Sequence, residues 1–95
     1  MNNTIITPTI QTLIHQYSLS YSAKEFEADF LGLGGTTHDF LFSDQDDLGH
    51  WCFCHFTVHV DGDYFTIVDG TFKRFHISLL ETKLVQWLDL LGVRI

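Results

Sequence analysis

The first apolar pattern along the chain is that of an amphipathic helix. Thr7-Pro8 has the form of an N-cap residue followed by proline at the first helical position. The apolar residues that follow recur at helical spacing: Ile10, Leu13, Ile14 and Tyr17. This pattern predicts a helix over residues 8–18.

A second helix start is predicted shortly after the first helix ends. Ser22 and Glu25 have the spacing of a capping box, and Tyr21 and Phe26 have that of a hydrophobic staple. We expect the glycines at 32, 34 and 35 to end this helix. Its buried face would consist of Ala23, Phe26 and Phe30.

Alternation and turn residues replace the helical pattern in the middle of the chain. Asp61-Gly62-Asp63 and Asp69-Gly70 are typical of tight turns, and SDQDDLG is an acidic loop. The strands predicted between these turns are residues 38–42, 51–60, 64–68 and 71–77.

A closing helix is predicted at the end of the chain. Ser78 and Glu81 form another capping box, and Gly92 has the position of a C-terminal glycine cap. The apolar face comprises Leu80, Leu84, Trp87, Leu88 and Leu91. The order of elements predicts an α+β fold: an antiparallel meander of three to four strands, with two N-terminal helices and one C-terminal helix packed on it.

Composition limits the class of protein. A chain of 95 residues with 45% hydrophobic residues predicts one domain over residues 1–95 with its own core. No apolar run approaches the about 20 residues that cross a bilayer, and the N terminus has no secretory signal pattern. With two cysteines and no signal, we expect a cytoplasmic protein with reduced thiols.

Charge is unevenly distributed along the chain. Twelve Asp and Glu face five Lys and Arg, and residues 25–72 contain ten of the acids and no Lys or Arg. Direct nucleic-acid binding is disfavoured because the span lacks the cations that neutralise phosphates. The acids are either merely solvated or form a surface for a basic partner. The residues predicted to bind that partner are Glu25, Glu27, Asp29, Asp44, Asp46, Asp47, Asp61 and Asp63.

The stretch HWCFCHFTVH (residues 50–59) contains two cysteines and three histidines, the usual ligands of transition metals. On a regular strand, Cys52 and Cys54 share a face with Phe56, whereas His55 and His59 point to the other side. A shared metal ion would therefore require a bulge or ligands from elsewhere. The cysteine row has the composition of a core face, although the opposite Trp-Phe-His row could also pack under helices.

None of these patterns contains the combination of residues that a catalytic site requires, so we predict a non-enzymatic protein without a cofactor. The leading hypothesis is a small module that blocks a basic protein partner, such as a nuclease or a nucleic-acid-binding complex, by presenting carboxylates in place of phosphates. Inhibitors of CRISPR or restriction systems and immunity proteins against nuclease toxins have this action. The alternatives are a metal- or thiol-dependent protein centred on the Cys/His-rich strand, and a homodimer joined through an aromatic face or an edge strand.

Overall fold

A computed structural model describes residues 5–26, 35–71 and 73–92. Its elements are helix α1 (Pro8–Gln16), strands β1 (Ser20–Phe26), β2 (Gly35–Gln45), β3 (Trp51–Asp61), β4 (Tyr64–Ile67) and β5 (Arg74–His76), a 3-10 turn (Ile77–Leu79) and helix α2 (Leu80–Leu90). The strands form one antiparallel sheet in chain order. The predicted α+β meander is confirmed, but the sheet has five strands instead of three or four, and the described chain has two helices instead of three.

The two helices begin by different means. The side chain of Thr7 accepts a hydrogen bond from the N–H of Ile10 at 3.2 Å, so the predicted N-cap of α1 is confirmed. The capping box predicted for α2 is wrong, because its N-cap residue is Leu79 and no side chain caps it. Ser78 lies in the preceding 3-10 turn, where its N–H donates to Nδ1 of His76.

The helix predicted to begin at Ser22 is wrong, because Ser20–Phe26 forms strand β1. All seven residues of β1 pair with β2 in antiparallel register. Tyr21 faces the core, where its ring centroid lies 5.1 Å from that of Phe40. A capping box stabilises a helix by only about 1 kcal/mol, whereas β1 gains a hydrogen-bonded ladder and this packing. The remainder of the predicted helix, residues 27–31, lies outside the described residues.

Gly35 was predicted to end a helix and instead begins β2. Its φ is +140°, a backbone conformation that residues with a side chain rarely adopt. A Cβ atom here would also collide with the backbone carbonyl oxygen of Val60 on β3. Glycine is therefore required by the close approach of two strands.

One face of the sheet holds the core. Phe40, Phe56, Val58 and Phe65 are buried on this face and form one cluster with side chains from both helices. The helical members of the cluster are Ile10, Leu80, Leu84 and Leu88. In the part of the chain that the structure describes, both helices thus pack on the same side of the sheet.

The strand alternation of residues 50–60 settles which row faces the helices. Phe56 is buried, and its ring stacks on Trp87 of α2 at 5.4 Å, so the cysteine row is on the helix side. The expectation that both cysteines belong to the core is nevertheless wrong for Cys52, which is exposed, while Cys54 is half-buried. They precede the stretch of β3 that the helices cover.

Candidate functional site

The hairpin formed by β2 and β3 extends beyond the rest of the sheet. β1 pairs with β2 only as far as Leu41, and β4 pairs with β3 only from Val58 onwards. Beyond these limits the register of β2 and β3 continues to Gln45 opposite Trp51. Residues 42–54, here named the β2–β3 arm, therefore have no further strand beside them among the described residues.

The tip of the arm is shaped by one carboxylate. Oδ1 of Asp46 accepts hydrogen bonds from the N–H groups of Leu48 and His50, both at 2.9 Å. Its Oδ2 lies 3.4 Å from Nδ1 of His50, and its backbone N–H donates to the His50 carbonyl. Asp44 and Asp47 are exposed beside it. The tip therefore presents two carboxylates to solvent and uses the third to hold the turn.

An aromatic pair lies on the face of the arm that points away from the helices. The rings of Trp51 and Phe53 stack with centroids 6.3 Å apart, and both side chains are 61% exposed. Leu48 at the tip is 80% exposed. Exposed aromatic groups of this size are typical of the centres of protein interfaces.

The acids predicted to bind a partner do not form one surface. The tip group lies at one end of β3, and Asp61 and Asp63 lie at the turn after its other end. Glu25 is close to the second group, because its partner Thr36 is itself paired with Val60. At about 3.3 Å per residue, the eleven residues of β3 separate the two groups by about 33 Å. Glu27 and Asp29 lie outside the described residues.

The Cys/His-rich strand does not assemble a metal site in the described chain. Cys52 and Cys54 are free thiols on the helix side of β3, and His55 lies on the other face. Within residues 5–26, 35–71 and 73–92, no group of three or more His, Cys, Asp or Glu side chains is placed to hold a metal ion. His50 is instead part of the tip turn.

His38 and Asp39 are neighbours in the sequence but point to opposite faces of β2. His38 is 2% exposed, and its Nδ1 lies 2.7 Å from the hydroxyl of Tyr21. Burial, and secondarily His59, lowers the pKa of His38, while burial raises the pKa of Tyr21. The lowered pKa favours the neutral form of the histidine, and its Nδ1 shares a hydrogen bond with the tyrosine hydroxyl. Asp39 accepts one from Thr57 at 2.5 Å.

A groove of about 370 Å³ lies between β3, the β4–β5 connection and α2. Phe75 and Trp87 contribute to its apolar walls. Lys73 and Lys83 also line it, together with one acid, Asp69. Nζ of Lys83 lies 4.3 Å from the centroid of the Phe75 ring. Sequence reasoning missed this cationic groove, because its residues come from three separate elements.

Together these features define an α+β protein with a five-stranded meander, one helix-covered face and a projecting arm. Comparisons with models of known protein families, with curated proteins and with solved structures found no match to this chain. None of the helices in the described ranges is long and apolar enough to cross a membrane.

Proposed function

We propose that this protein is a protein-binding module, that the β2–β3 arm is its contact element and that its partner is a basic protein. The observation that carries the proposal is a hairpin that projects beyond the core, with the exposed Trp51–Phe53 pair on one face and the exposed carboxylates of Asp44 and Asp47 at its tip. Aromatic anchors provide much of the energy at interface centres. Surrounding charges speed association and select the partner.

The charge of the arm favours a partner that handles nucleic acid. A groove built for phosphates attracts carboxylates that occupy the same positions, and the formal net charge of −7 adds long-range attraction. Binding would block such a groove. The protein would then act as an inhibitor of a CRISPR or restriction system, or as an immunity protein against a nuclease toxin.

The separation of the two acidic groups supplies a matched test. Asp44→Lys/Asp47→Lys reverses two charges on the arm, and Asp61→Lys/Asp63→Lys makes the same charge change at the other end of β3. Asp46 is left intact because its carboxylate holds the turn. A difference in partner affinity between the two variants then reflects where the charges are reversed and not the change in total charge.

The experiment begins with capture of partners from the native host at low and high salt, using the wild-type protein as bait. Affinity for the captured protein is then measured for both double variants and for Trp51→Ala. We expect the arm variant to bind about tenfold more weakly or worse, with a flatter salt dependence, because rim charges act through screened attraction. Trp51→Ala should also weaken binding. Equal losses in the two double variants would refute the arm as the contact element.

A further inference from the structure

One edge of β3 is open along the arm. On the side of β4, the last described backbone bond is from the N–H of Val68 to the carbonyl of Thr57, at 2.9 Å. Alternate residues of a strand direct their N–H and C=O groups to the same side. Trp51, Phe53 and His55 therefore direct theirs to the open side, where the described chain places no strand.

This edge has none of the features that usually prevent strand pairing. Residues 51–57 contain no proline, glycine, lysine, arginine, aspartate or glutamate. We infer that the same segment of a second copy pairs with it, so that the free protein is a two-fold symmetric dimer. This inference concerns the protein alone and does not rest on the partner proposed above.

The open segment is complementary to itself. In an antiparallel pairing centred on Phe53, the Phe53 residues of the two copies are opposite each other, and Trp51 of each is opposite His55 of the other. These pairs would exchange about six backbone hydrogen bonds. A two-fold interface uses the same surface patch on both subunits, and this pairing meets that condition.

Charge complementarity favours a second copy over an unrelated peptide. The antiparallel register directs the tip of each arm past His55 of the other copy, toward the groove that contains Lys73 and Lys83. The tip contributes the exposed carboxylates of Asp44 and Asp47. The chain thus supplies both the strand and the opposite charges that such a pairing requires.

Sedimentation of the purified full chain over a range of concentrations tests the dimer. The wild-type protein should be a dimer that dissociates on dilution. Phe53→Lys would place two like charges opposite each other at the two-fold axis, and the dissociation constant should rise by about tenfold or more. Val85→Lys is the matched control, because Val85 is also exposed but lies on α2, outside the groove lining. Its dissociation constant should be unchanged.

Cysteine cross-linking tests the register. The pairing places Cys52 opposite Cys54 of the second copy in a non-hydrogen-bonded pair, with Cα atoms about 4.5 Å apart, within disulfide range. Copper phenanthroline and oxygen would take up the two electrons and two protons released when the two thiols form the disulfide. Neither Cys52→Ser nor Cys54→Ser alone should cross-link, whereas a mixture of the two variants should give a covalent dimer.

Three results would overturn the inference. A monomer at every concentration would exclude the dimer. Pairing of the β3 edge with a peptide of another protein would then be the remaining alternative. A dimer that persists in Phe53→Lys, with far-ultraviolet circular dichroism like that of the wild type, would exclude the β3 edge. A mixture of the two serine variants that does not cross-link would exclude the register.

Discussion

Replacement of Tyr21 by phenylalanine should destabilise the fold although it removes only one oxygen atom. That hydroxyl lies 2.7 Å from Nδ1 of His38, which is 2% exposed. Phenylalanine keeps the ring that packs against Phe40, so the loss of packing is small. A buried polar atom left without its partner costs about 1–3 kcal/mol. We expect the free energy of unfolding to fall by about this amount.

Urea unfolding followed by tryptophan fluorescence measures this change, since Trp87 stacks on the buried Phe56 and reports on the core. Tyr17→Phe is the matched control. Tyr17 is half-buried, and no hydrogen bond of its hydroxyl is described, so its effect should stay within about 0.5 kcal/mol.

A double-mutant cycle with His38→Phe separates the hydrogen bond from the two side chains. The penalty of Tyr21→Phe should largely disappear when His38 is already apolar, because no polar atom is then left unpaired. If Tyr21→Phe were as mild as the control, the reasoning would be refuted. The buried Nδ1 of His38 would then not depend on the Tyr21 hydroxyl as its partner.

Two further predictions concern charge. The pKa of His38 is lowered in the fold, so below about pH 6.5 the unfolded chain takes up a proton that the fold excludes. The stability due to the neutral histidine is complete above about pH 6.5 and declines as the pH falls below it. The urea midpoint should therefore drop more on acidification in the wild type than in His38→Phe. In the dimer, Lys73→Glu should weaken association at low salt, and Asp47→Lys in the same chain should restore part of it, as measured by sedimentation.

Local sequence signals were sufficient to predict the helix start and the tight turn, because both depend on residues that are neighbours in the chain. Thr7-Pro8 begins α1, and the turn between β3 and β4 lies within Asp61-Gly62-Asp63, as predicted. β1 could not be recognised in this way, because what determines it is its pairing with β2, and the local sequence of β1 does not show that pairing. The capping signal at Ser22 was the only information within reach, and the pairing with β2 overrides it.

The candidate site was harder to predict because sequence proximity is a poor guide to distance across a sheet. The acids of the tip and those of the β3–β4 turn belong to one acidic span, yet β3 places them at opposite ends. Lys73 and Lys83 line one groove although they lie on different elements. Strand alternation shows that Trp51 and Cys52 point to opposite faces of the sheet, but it does not show which face the helices cover. The exposure of Trp51 could therefore be predicted only as one of two alternatives.

The proposed partner and the proposed dimer make competing demands on the same arm. Both require Phe53 and the tip carboxylates, so one copy of the arm cannot serve both at once. The apparent affinity for the partner is then reduced by the fraction of the protein that is monomeric, and a chain that is one-tenth monomer binds about tenfold more weakly than its free arm. Lys73→Glu alters the groove and leaves the arm intact, so it should loosen the dimer and tighten partner binding. Phe53→Lys should weaken both, and this opposite response separates competition for the arm from simple damage to it.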